Sequence, residues 1–170
     1  DRDKLFGFHS IEFEDRIVEL EEGSALEGVG DPEDFSRAER IVLLYEAAFD
    51  REGDIDLLGL NHYVARAETT GLPDAALAWE FMHSSEFENK FGDIEAISNS
   101  DFLTLINQNV LDREPDPAGL SFYLDLLNFW YITKEEALAD IAISPENAQG
   151  SVETLTSLYQ TTSGDWAFLA

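Results

Sequence analysis

The chain has no cysteine among its 170 residues, one methionine, five prolines and only ten basic residues against 36 acidic ones, a formal net charge of −26. Without cysteine there are no disulfides, no thiolate nucleophiles and no cysteine-based zinc or iron–sulfur sites. So few Lys and Arg argue against nucleic acid or anionic lipid headgroups as partners, because like charge repels both at long range. No apolar run approaches the ~18 residues of a membrane span, so membrane insertion is not expected. Low-complexity tracts are also missing, and 44% hydrophobic with 12% aromatic residues provide for a packed core rather than a disordered chain.

The usual catalytic signatures are absent too. The three histidines, His9, His62 and His83, form no i, i+4 ligand pair, and there is no Gly-x-Ser-x-Gly nucleophile elbow. Gly28-Val29-Gly30 lacks the further glycine of a phosphate-cradling loop. Carboxylate pairs suited to glycosidase chemistry exist by sheer abundance and therefore point nowhere.

What is present divides the chain in two. Apolar and polar residues alternate around Ile11, Glu12, Phe13 and Glu14 and restart after Asp15-Arg16, which predicts a short N-terminal β-hairpin within residues 5–20. From Glu12 to Asp34 there are ten acidic residues and one basic residue, Arg16, with Gly23, Gly28, Gly30 and Pro32 interspersed. Residues 1–34 thus read as a hairpin and an acidic linker.

Residues 35–170 read as a helical domain. Ile41, Leu44, Tyr45 and Ala48 recur at helical spacing, as do Leu60, Tyr63, Val64 and Ala67, and Leu120, Tyr123, Leu124 and Leu127. Asp116 before Pro117, Thr133 with Glu136, Ser100 before Asp101 and Ser144 before Pro145 mark helix starts. About seven helices are expected, near 36–49, 56–69, 74–84, 101–111, 117–128, 134–143 and 145–160.

Within this domain the sequence repeats. Phe49-Asp50-Arg51-Glu52-Gly53-Asp54 matches Leu111-Asp112-Arg113-Glu114-Pro115-Asp116 at an offset of 62. Gly59-Leu60-Asn61-His62-Tyr63-Val64 matches Gly119-Leu120-Ser121-Phe122-Tyr123-Leu124 at an offset of 60, which persists through Phe81 with Ile141 and Ser84-Ser85-Glu86 with Ser144-Pro145-Glu146. The expected fold is mainly α: two pseudo-repeated three-helix units, about 41–99 and 103–160, packed as one body with each covering the other's apolar face.

Both copies carry a pattern close to Leu-Tyr-x-x-x-Leu/Phe-x-Arg-x-Pro-Asp-x-x-Gly-Leu, seen here in Leu44-Tyr45 through Arg51 with Gly59-Leu60, and in Gln108 through Leu120. With Ser85-Glu86-Phe87 and Ser144-Pro145-Glu146-Asn147, the chain resembles the bacterial family catalogued as domain of unknown function 4214. The first copy departs from the pattern, with Gly53 in place of proline and two residues inserted before Gly59. Such modules are similar to segments of RTX-type, S-layer-like and adhesin-like exported proteins, and more distantly resemble phycobilisome linker domains. The resemblance implies an extracellular or cell-surface bacterial module, type I secretion being one route, and transfers no activity.

Two constellations stand out as sites. The carboxylates Asp50, Glu52, Asp54, Asp56, Asp112, Glu114 and Asp116 alternate through two turns and could offer Ca²⁺ its hard oxygen ligands, although the EF-hand spacing is missing. The competing reading makes Asp54 or Asp56 and Asp116 helix N-caps, with Arg51 and Arg113 paired to carboxylates or helix ends. Phe129, Trp130 and Tyr131 join two helices where the first copy has Glu68-Thr69-Thr70-Gly71-Leu72, and they read as core filling or as an apolar patch for a protein or carbohydrate partner. The expected function is that of a non-catalytic structural or interaction module. The alternatives are a carboxylate-based hydrolase or lyase and an intracellular linker-like scaffold.

Overall fold

Ser36 starts the helical body. Its hydroxyl accepts from the Glu39 amide while the Glu39 carboxylate accepts from the Ser36 amide at 2.7 Å, a reciprocal capping box at the head of α1 (Arg37–Phe49). The computed structural model describes residues 34–51, 55–111 and 113–169, and the backbone alone of 10–13 and 16–19. At that end β1 (Ser10–Phe13) pairs antiparallel with β2 (Arg16–Glu19). The expected acidic linker lies almost wholly outside the described residues.

Eight further helices follow: α2 (Leu57–Thr70), α3 (Asp74–Met82), α4 (Ser85–Phe91), α5 (Asn99–Leu111), α6 (Pro117–Asn128), α7 (Lys134–Ala142), α8 (Pro145–Gly150) and α9 (Val152–Ser157). The hairpin β3 (Leu158–Gln160) and β4 (Trp166–Phe168) closes the described chain. The molecule is thus mainly helical. Helix order and bounds recur along it: α5 begins 62 residues after α1, while α6, α7 and α8 begin 60 after α2, α3 and α4.

The core forms around α1, in which every residue from Ile41 to Phe49 is buried. It packs on α2, α3 and α4 of its own half and on α5 and α7 of the other, while α3 lies against α7. A helix buried on all sides this way is a core helix, its stability coming from apolar area removed from water. The second half is less closed: α2 buries Leu60, Val64 and Ala67, whereas α6 buries only Leu127 and leaves Leu120, Tyr123 and Leu124 half covered.

The few basic side chains tie elements together. Arg37 and Arg40 both hold Asp74 at the start of α3, Arg66 pairs with Glu80, and Lys90 reaches the Phe49 carbonyl (2.7 Å) and the Asp50 carboxylate (2.9 Å) at the end of α1. Lys134 donates to the carbonyls of Ile94 and Ile97, holding the segment before α5 against α7.

Three sequence expectations are corrected. The first half has a fourth helix, α4, too short to show as a periodic stripe but started by Ser84, whose hydroxyl accepts from the Phe87 amide as that of Ser144 accepts from Asn147 at the expected start of α8. The cap of α5 is Ser98, not Ser100: its hydroxyl accepts from the Asp101 amide at 3.1 Å. The helix expected over 145–160 breaks at Ser151, whose hydroxyl donates to buried Glu46 of α1 at 2.6 Å, and it ends at Ser157, where the chain turns extended into β3.

Candidate functional site

The turn between α6 and α7 leaves the helix by a left-handed residue. The amide of Tyr131 donates to the Leu126 carbonyl at 2.9 Å and that of Trp130 to Leu127 at 3.3 Å, the paired bonds of a Schellman ending. The donor of the second bond must adopt positive φ, and it is Trp130, at +60°. At the corresponding end of α2 the left-handed residue is Gly71, at +67°, which has no side chain to clash. Phe129, Trp130 and Tyr131 are 67%, 87% and 61% exposed, so all three stand outside the core. Ile132, the next residue, packs against it.

The second feature is a cleft of about 160 Å³ among α5, α6, α7 and the loop before α6. Leu103, Leu111, Leu120 and Ile141 make its apolar lining, while Asn107, Tyr123, Asp116 and Ser144 contribute polar atoms. At its rim Arg113 grips Glu146 through Nη2 at 2.7 and 3.0 Å and through Nε at 3.0 Å. The Tyr123 hydroxyl donates to Asp140, and its pKa stands above the ordinary phenol range, first because it is buried and then because that carboxylate disfavours a second negative charge.

The corresponding place in the first half is filled. Tyr45, Phe49, Tyr63 and Phe81 pack there in tilted and edge-on contacts, with the Tyr45 ring centroid 4.7 Å from that of Phe81 and 5.6 Å from that of Phe49. The Tyr45 hydroxyl abuts Gly59 where a Cβ would stand, and its pKa too is raised, chiefly by burial. Arg51 holds Glu86 at this rim as Arg113 holds Glu146 at the other.

Each described carboxylate of the acidic turns has a structural partner. Asp56 accepts from the amides of Leu58 and Gly59, and Asp116 from those of Ala118 and Gly119 at 3.0 and 2.9 Å. Asp50 accepts from Lys90, and Glu114 from Gln108 at 2.7 Å. Glu52, Asp54 and Asp112 lie outside the described residues. Among the described residues no three His, Asp or Glu side chains converge as a cation-binding group. Gly119 leaves room for the cap of its own helix, since a Cβ there would stand 2.7 Å from the Asp116 carboxylate.

Sequence reasoning singled out the aromatic turn but not the cleft. Its signal was present in the offsets, which set Tyr45 against Asn107, Phe49 against Leu111 and Phe81 against Ile141, a loss of ring volume at three positions. Residues 78–150, which include all of α5 to α8, match the family model described as Domain of unknown function (DUF4214). No curated protein and no solved structure matches the chain. Among the described residues no helix is long and apolar enough to cross a membrane.

Proposed function

We propose, from the match of residues 78–150 to the family described as Domain of unknown function (DUF4214), that the chain is a non-catalytic interaction module of an exported or cell-surface bacterial protein. It engages a protein or carbohydrate surface of the cell envelope through Phe129, Trp130 and Tyr131. The observation that carries this reading is Trp130: a large side chain, 87% exposed, at a left-handed position where glycine would be relaxed. A side chain that contributes little burial and strains its own backbone is expected where contact with a partner compensates for the strain. The net charge of −26 supports it, since strong negative charge keeps a module soluble outside the cell while steering it from nucleic acid.

The test is cosedimentation of the purified 170-residue chain with isolated bacterial cell envelopes, untreated or stripped of protein or of polysaccharide. Binding that is lost in Trp130→Gly, a variant expected to fold at least as well, supports the module, and the stripped envelopes identify the partner class. Wild-type protein that stays in the supernatant, or a variant that sediments equally, overturns it.

A further inference from the structure

The cleft of the second half has the position, size and chemistry of a seat for one aromatic ring. In the first half the ring is built in: Tyr45, on the helix that corresponds to α5, packs against Phe49, Tyr63 and Phe81, and its hydroxyl stops at Gly59. At the matching positions the second half keeps Gly119, Leu120 and Tyr123 but replaces Tyr45 by Asn107 and Phe81 by Ile141. The structure leaves about 160 Å³ there. An enclosed apolar cavity of about 150 Å³ takes up benzene; this cleft offers a similar volume but opens to solvent on one side.

The polar atoms make the seat phenolic rather than purely apolar. The Asn107 side-chain amide donates to the Leu103 carbonyl at 2.9 Å, which orients it and leaves its Oδ1 without a hydrogen bond among the described residues. Ser84 turns its hydroxyl back onto the Phe81 carbonyl at 2.7 Å, whereas the described bonds of Ser144 are limited to accepting from the Asn147 amide at 3.3 Å. Asn107 and Ser144 thus add an acceptor and a hydroxyl to a cleft whose apolar wall is Leu103, Leu111, Leu120 and Ile141 and whose rim carries Arg113, Asp116 and Glu146. We infer that this cleft binds a single phenol-sized ring carrying a hydroxyl, with the ring against Leu103, Leu120 and Ile141 and the hydroxyl donating to Asn107. The site is separate from the aromatic turn, and neither reading depends on the other.

The inference is tested by titrating the 170-residue chain with p-cresol and following the methyl NMR signals of Leu103, Leu120 and Ile141. Saturable shifts at these methyls are expected. Asn107→Tyr, which restores the built-in ring, should weaken binding at least ~10-fold, equivalent to about 1.4 kcal/mol. Ile141→Phe plugs the cleft from another helix and serves if the first variant does not fold. The saturated analogue 4-methylcyclohexanol should bind more weakly. N-acetyltyrosinamide separates the sources: binding as tight as p-cresol points to a tyrosine side chain of another protein, and binding by p-cresol alone to a free phenol. No saturable shift in the wild type, undiminished binding by both plugged variants, or equal binding of the saturated analogue overturns the inference.

Discussion

Asn61, on α2, holds Trp166 of β4 by both of its backbone groups: its Oδ1 accepts from the Trp166 amide at 2.6 Å and its Nδ2 donates to the Trp166 carbonyl at 2.9 Å. A side-chain amide used this way imitates a neighbouring strand and docks the C-terminal hairpin on the helical body. Its removal by Asn61→Ala should cost about 1–3 kcal/mol locally, the worth of two hydrogen bonds. Amide exchange at Trp166 should speed up by roughly 5–150-fold with that loss, while exchange in α1 stays unchanged. Equal acceleration in α1 would mean that the hairpin is part of one cooperative unit.

Trp130→Gly should raise stability although it deletes an aromatic residue. Strain at positive φ costs about 1–3 kcal/mol and glycine relieves it, offset in part by the greater entropy of glycine in the unfolded chain. With Trp130 exposed, little burial is lost. A net gain of about 1 kcal/mol is expected in denaturant unfolding, and a loss of stability would show that the ring packs on the body.

Gly59→Ala should destabilise by about 1–3 kcal/mol, the usual cost of overpacking, because the new methyl meets the Tyr45 hydroxyl and Tyr45 is wedged among Phe49, Tyr63 and Phe81. Tyr45→Phe in the same chain should restore most of the loss. Melting of the two single variants and the double variant checks this, and simple additivity would place the clash elsewhere.

Asp116→Ala should cost about 1 kcal/mol as a lost N-cap, to the same extent with Ca²⁺ or with EDTA. Asp56→Ala should behave alike, since both carboxylates accept from two amides at a helix start. A penalty that appears only in the presence of Ca²⁺ would make these residues ligands rather than caps.

Melting temperature should rise with salt from about 10 mM, where the Debye length is about 30 Å, toward about 150 mM, where it is about 8 Å. The reason is the net charge of −26, whose self-repulsion is screened faster than the short ion pairs such as Arg113–Glu146 are weakened. A flat or falling curve would show that those pairs dominate.

The sequence by itself determined most of the helices and where they begin. Asp116-Pro117, Thr133 with Glu136 and Ser144-Pro145 act through amides two or three residues away, and stripes such as Ile41, Leu44, Tyr45 and Ala48 need only the helical period. Tertiary structure decided what local rules do not reach. Ser151 leaves the helix where its hydroxyl meets buried Glu46, 105 residues earlier, and the β3–β4 hairpin lies on α2 because Asn61 holds Trp166 there. Whether Phe129, Trp130 and Tyr131 were core or surface depended on the path of the chain after Leu127. The cleft is of the same kind: Asn107, Leu111 and Ile141 are ordinary helix residues one by one, and only their meeting across α5 and α7 leaves unfilled the volume that aromatic rings occupy in the first half.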